Sequence, residues 1–191
     1  MYITVLKMTR ESILNAPKLL NISSGYSIHQ WITSQQQCTR QEDKLLFRII
    51  ETKDSLFLYI QSLKHFNLNN IEEYGFKFFK ELEINEVNGN IYFDCVVFPN
   101  KEIQGRKMFL KDSIDRENWL RNQFSKNGLN IINCIEYKHG ELSVDKDKPK
   151  EISVVTYKGF AEVIDPIKAM TLIQNGLGRL KTFGAGMILV K

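Results

Sequence analysis

The stretch Phe160–Val190, FAEVIDPIKAMTLIQNGLGRLKTFGAGMILV, decides how the chain is read. Phe160–Ile164 has the apolar character of a strand and runs into Asp165-Pro166. An aspartate there can accept hydrogen bonds from the free N–H groups of a first helical turn, and proline suits the first helical position. A helix is therefore predicted from Pro166 to Gly176, and Gly186–Val190 reads as a closing strand. Between them lies Gly176-Leu177-Gly178-Arg179-Leu180-Lys181-Thr182-Phe183-Gly184-Ala185-Gly186, a connection rich in glycine and carrying two cations.

Working back from this stretch, Ile91–Phe98 reads as a strand. Ser113–Lys126 reads as a helix, with Asp112 or Ser113 as N-cap and Gly128 beyond its end. Leu129–Tyr137 and Ile152–Tyr157 are further strands before Phe160–Ile164. The polar run Asn85–Asn90 is the best boundary, dividing the chain into 1–84 and 85–191. In the first part, Tyr2–Met8 alternates as a strand, and Tyr26–Cys38 is a helix entered through Ser24-Gly25. Leu45–Ile50 and Leu56–Ile60 form a hairpin through Thr52-Lys53-Asp54-Ser55, and Leu68–Tyr74 suits a second short helix. Phe76–Ile84 fits either type. The order suggests an α+β chain of two βαββαβ halves, each an antiparallel sheet covered by helices.

Composition sets the outer limits. The chain has 191 residues, 43% hydrophobic and 25% charged, enough apolar content for packed cores rather than disorder. No run of about 18 apolar residues is present, so no membrane span and no membrane partner is expected. The opening MYITVLKMTRES reads as a first strand and not as a signal peptide. Three separated cysteines, Cys38, Cys95 and Cys134, form neither a disulfide framework nor a C-x-x-C zinc site, which suggests a reducing cytoplasmic setting. The net charge is +4, and beyond Asp165 the chain carries Lys168, Arg179, Lys181 and Lys191 with no acidic residue. A localised excess of this kind suits a nucleic-acid contact, although an ordinary solvated surface would look similar.

Three groups of residues could carry chemistry. Gly176, Gly178, Gly184 and Gly186 let a backbone come close to phosphates, with Arg179 and Lys181 supplying charge. The segment is neither a Walker loop nor a dinucleotide fingerprint, and a plain helix-to-strand connection is the alternative. Tyr26 and His29, three apart at a helix start, share one helical face, and histidine can give or take a proton near neutrality. His65 and His139 read as surface residues. Lys101, Arg106, Lys107 and Lys111 cluster between a strand and a helix, and Lys146, Lys148 and Lys150 alternate along a later loop. Either cluster could bind phosphates or simply be solvated. Asp145 and Asp147 lie in that charged loop, and with no H-E-x-x-H, EF-hand or G-x-S-x-G pattern neither a metal nor another cofactor is expected.

Taken in order, these features resemble the CRISPR repeat-processing endoribonucleases of the type I-E Cascade complex, the CasE family of the RAMP superfamily. The resemblance rests on Gly159 through Asp165-Pro166 and the Gly176–Gly186 loop, and on Pro99-Asn100-Lys101 with Gly105-Arg106-Lys107. It continues in Trp119-Leu120, Gly128-Leu129 and Gly25-Tyr26-Ser27-Ile28-His29-Gln30. It implies tandem ferredoxin-like (RRM-like) domains and metal-independent cleavage of a CRISPR repeat RNA hairpin by 2′-hydroxyl attack. Tyr26 and His29 match the catalytic positions, with acid and base not distinguished. Arg179 and Lys181 would steady the phosphate, and Lys146, Lys148 and Lys150 fall where the family presents a basic hairpin. Gln30 departs from the family, where a basic residue can occur. Other Cascade subunits are the implied partners. A non-cleaving RNA-binding subunit and a protein–protein scaffold are the competing readings.

Overall fold

The computed structural model describes residues 1–20, 24–143 and 151–191. The described chain gathers into two compact units, one of Met1–Asn85 with Thr182–Gly184, the other of Glu86–Leu142, Glu151–Lys181 and Ala185–Lys191.

The first unit contains β1 (Tyr2–Thr9), α1 (Arg10–Leu14), α2 (Gly25–Gln36), β2 (Leu46–Glu51), β3 (Ser55–Ser62), a 3-10 turn at Ile71–Tyr74 and β4 (Lys77–Glu83). Its sheet runs β2-β3-β1-β4, the ferredoxin-like order. β1 pairs antiparallel with β3 from Tyr2↔Ser62 to Thr9↔Ser55, and with β4 on its other side. Helix α2 buries Ile28, Trp31 and Ile32, the positions its period turns toward the sheet. They join Leu6, Met8, Phe47, Leu58, Ile60 and Phe76 in one core, where Trp31 stacks on Phe76 at 5.3 Å between ring centroids. The ambiguous segment from Phe76 is a strand from Lys77, because β1 supplies an edge for it. Only one turn of 3-10 helix forms within Leu68–Tyr74, between Asn70 and Gly75, both at positive φ.

The second unit contains β5 (Asn90–Val97), β6 (Asn100–Ile103), β7 (Arg106–Phe109), α3 (Ser113–Lys126), β8 (Leu129–Ser143), β9 (Glu151–Val163), α4 (Pro166–Asn175) and β10 (Ile188–Val190), with a 3-10 turn at Lys181–Phe183 that runs on into residues of the first unit. Its sheet order, β10-β5-β9-β8, repeats the ferredoxin-like arrangement. Both predicted caps form: Asp112 accepts from the Ile114 and Asp115 amides, and Asp165 accepts from Lys168 with Pro166 opening the helix. The core brings Phe93 and Phe124 to 4.8 Å between ring centroids, with Leu120, Val155 and Ile173 buried.

Two expectations change here. The strands predicted at Ile152–Tyr157 and Phe160–Ile164 are one continuous β9. Gly159 does not break it; a Cβ there would stand 2.2 Å from the Asn133 carbonyl oxygen, so the glycine lets two backbones come together. The segment carrying Lys101, Arg106 and Lys107, given no element of its own in the sequence, is a separate two-stranded hairpin, paired from Asn100↔Phe109 to Ile103↔Arg106. Lys146, Lys148 and Lys150, with Asp145 and Asp147, lie outside the described residues.

Candidate active site and nucleic-acid interface

Helix α2 begins at Ser24, whose hydroxyl accepts from the Ser27 amide at 3.4 Å. With Ile28, Trp31 and Ile32 turned inward, the same period turns Tyr26 outward, with His29 half-buried beside it. The Thr33 hydroxyl donates to the His29 carbonyl at 3.0 Å, continuing this stripe along the helix. Burial lowers the His29 pKa, and the positive charge of Arg40 lowers it further. The imidazole is accordingly held toward its neutral form, the form that can accept a proton.

Within the same unit, the end of the glycine-rich segment lies against the start of α2. A Cβ on Gly25 would meet the Phe183 carbonyl oxygen at 2.6 Å, so only glycine permits this approach. The Tyr26 and Phe183 rings follow at 6.4 Å between centroids, tilted by 34°. Gly184 is held against the Phe47 ring in the same way, a Cβ there standing 3.0 Å from Cε2.

In the second unit, the rest of that segment is tied down by backbone hydrogen bonds. The Leu177 amide donates to the Gly186 carbonyl at 2.7 Å, and the Gly186 amide donates to Val96 of β5 at 2.7 Å. Gly176 is buried, Gly178 and Arg179 are exposed, and Lys181 is half-buried in the 3-10 turn that also contains Phe183. Lys101, Arg106, Lys107 and Lys111 are all exposed. Lys107 forms an ion pair with Glu102 across the β6–β7 hairpin. The hydrogen bond and charge of Lys107 lower the Glu102 pKa, and the Arg179 charge adds to this, so Arg179 shares an electrostatic neighbourhood with the hairpin.

The two other histidines are exposed, yet each is engaged. His65 Nδ1 lies 2.6 Å from Glu81, and His139 contacts Glu136. Glu136 belongs to a half-hidden network with Arg116 and Tyr157 that sequence reading missed. Its members come from α3, β8 and β9, so no local spacing announces it. Arg40, which acts on His29 from beyond the end of α2, was missed for the same reason. Among the described residues, no helix is long and apolar enough to cross a membrane.

Solved structures with the same fold accompany this geometry. The chain is similar to CRISPR endoribonuclease Cse3 bound to a 19 nt RNA, with a TM-score of 0.88 at 19% identity, covering 100% of both chains. It is similar to Thermus thermophilus Cse3 bound to an RNA representing a pre-cleavage complex, with a TM-score of 0.81 at 17% identity and 100% coverage of both chains. It is also similar to the CRISPR-associated protein Cas6e from Escherichia coli K-12, with a TM-score of 0.72 at 18% identity, covering 100% of this chain and 98% of that one. No curated protein sequence matches the chain. The family model described as CRISPR associated protein matches residues 1–191, and the chain belongs to that family.

Proposed function

We propose that this protein is a metal-independent endoribonuclease that binds a CRISPR repeat RNA hairpin and cuts precursor CRISPR RNA to mature guide RNA. The observation that carries the reading is the pairing of Tyr26 with His29 on the outward stripe of α2, the imidazole being pushed toward neutrality. The full-length likeness to Cse3 and Cas6e supports it.

The chemistry follows from what those groups can do. A base removes the proton of the 2′-hydroxyl, and O2′ attacks the adjacent phosphorus. The bond to the 5′-oxygen breaks, and that oxygen takes a proton as it leaves. The products are a 2′,3′-cyclic phosphate and a 5′-hydroxyl, with no water consumed. A histidine held neutral suits the base, which gives His29 that role and leaves Tyr26 to orient the ribose or supply the leaving proton. Arg179 and Lys181 would offset charge gathering on the phosphate, and Gly176, Gly178, Gly184 and Gly186 would let the RNA backbone come close. Lys101, Arg106, Lys107 and Lys111, with Lys146, Lys148 and Lys150, would hold the stem by its phosphates. The two domains would divide at 84/85, the first holding the Tyr/His pair and the second the basic loops and the glycine-rich loop. The protein would work in the cytoplasm with other Cascade subunits.

The test is cleavage of a labelled repeat hairpin in EDTA, with parallel RNA carrying a single 2′-deoxy sugar at the mapped cut. Cutting by wild type that is abolished by His29→Ala and by the 2′-deoxy sugar, with binding retained, supports the mechanism. Tight binding of the cognate repeat without any cutting would make the chain a non-cleaving RNA-binding subunit.

A further inference from the structure

The β6–β7 hairpin carries Lys101, Arg106 and Lys107, and it is hydrogen-bonded to neither larger sheet. Two four-residue strands are marginal by themselves in water, so the rigidity of the hairpin must come from its base. The Leu110 amide closes that base by donating to the Pro99 carbonyl at 3.0 Å, and the Phe98 and Phe109 rings stack at 5.9 Å. The remaining anchor is Arg116, in the second turn of α3 and only 5% exposed.

Arg116 uses both sides of its planar fork. Nε donates to Glu136 Oε2 at 3.0 Å, and Nη2 donates to Oε1 at 2.6 Å. Nη1 donates to the Leu110 carbonyl at 3.1 Å and also to the Lys111 carbonyl. The Phe109 ring lies 5.6 Å from the guanidinium carbon. Glu136 is fixed in turn by the Tyr157 hydroxyl, which donates to it at 2.7 Å, and by the His139 ring. A buried guanidinium costs stability unless fully paired, and here its pairing is directed at the two carbonyls where the basic arm joins α3. A lysine could not bridge carboxylate and carbonyls in this way, because it lacks the fork.

We propose that Arg116 is a positioning residue for RNA binding: it locks the Leu110–Lys111 junction to Glu136 and so holds Lys111 and the β6–β7 cations in register with successive phosphates of the RNA stem. The inference rests on the RNA-binding reading above. With its guanidinium committed to Glu136 and the two carbonyls, Arg116 would act through the hairpin and not by contact with RNA.

The experiment compares wild type, Arg116→Lys and Tyr157→Phe, each also in a background with Lys101, Arg106, Lys107 and Lys111 changed to alanine. Binding of a labelled repeat hairpin is measured over a salt series, and amide hydrogen exchange is followed in residues 99–111. Arg116→Lys is expected to weaken binding about tenfold. It should flatten the plot of log K against log salt by about one phosphate equivalent. It should also speed exchange in 99–111 while leaving β5 and β9 protected. In the alanine background the same change should have no further effect on binding. Tyr157→Phe, which removes one support of Glu136 and spares the ion pair, should act in the same direction by a smaller factor. It keeps the question answerable if Arg116→Lys folds poorly. An equal loss of affinity in both backgrounds, or faster exchange without any change in binding, overturns the inference. Wild-type protein that binds no hairpin RNA overturns the RNA-binding reading and this inference with it.

Discussion

Gly25 at the start of α2 and Phe183 near the end of the glycine-rich segment meet backbone to backbone. A Cβ on residue 25 would stand 2.6 Å from the Phe183 carbonyl oxygen and 2.8 Å from its Cα. Two segments more than half the chain apart in sequence thereby share one surface beside Tyr26, whose ring lies 6.4 Å from that of Phe183. Gly25→Ala ought to help a helix by about 1 kcal/mol on intrinsic preference. Here the contact should dominate, and we expect a net destabilisation of about 1–3 kcal/mol in urea unfolding. An unchanged or raised midpoint would show that Phe183 moves aside freely.

Under the proposed mechanism His29 acts as a base only when neutral. Its pKa is lowered from 6.5 by burial first and by Arg40 second. Single-turnover cleavage should therefore fall to half its plateau only at a pH below 6.5. Arg40→Gln removes the smaller cause, so the midpoint should move upward yet remain below 6.5. His29→Ala should cost about 10²–10⁴ in rate, measured beside the RNA affinity, which should hold.

Acid stability should report the Arg116 network. Burial by itself would raise the Glu136 pKa, but hydrogen bonds from Arg116, Tyr157 and His139, with the Arg116 charge, bring it down from 4.5 to about 2. A depressed carboxylate pKa contributes stability above its unfolded value, and that contribution is lost as pH falls through the folded value. The contribution is on the order of 3 kcal/mol, disappearing between about pH 4.5 and pH 2. Denaturant unfolding across this range should show the loss, and in Glu136→Gln this step should be missing while the protein is less stable at neutral pH.

Gly159 gives a prediction for the sheet itself. With the Asn133 carbonyl oxygen 2.2 Å from where a Cβ would sit, Gly159→Ala must push β8 and β9 apart. We expect a loss of about 3 kcal/mol by urea unfolding. Gly89→Ala serves as the control, since nothing lies within 4 Å of a Cβ there and its positive φ of 64° sets only a backbone cost. An equal effect at both positions would show that close approach is not what requires Gly159.

Much of the architecture was legible because its signals are local. Asp165-Pro166 marks a helix start through one cap and one fixed dihedral, and the Thr52–Ser55 turn joins two alternating runs. The spacing of Tyr26 and His29 on the outward stripe of α2 follows from helical period alone. What stayed hidden depends on partners distant in sequence. Gly159 resembles a break until the neighbouring backbone is in place. Lys77–Glu83 is uncommitted until β1 offers an edge. The β6–β7 hairpin is two short runs of mixed polarity without a buried face, so it leaves no clear alternation.

The sequence by itself determined the α+β class with two antiparallel sheets, the capped helices and which side chains could carry acid–base or phosphate chemistry, because caps, turns and periodicity act over a few residues. Only the tertiary structure decided that Phe183 rests on Gly25, that Arg40 and burial depress His29, and that Arg116 grips the base of a basic hairpin. Those relationships arise from burial and Coulomb fields between residues brought close by chain topology, and both become large only once the sheets have formed.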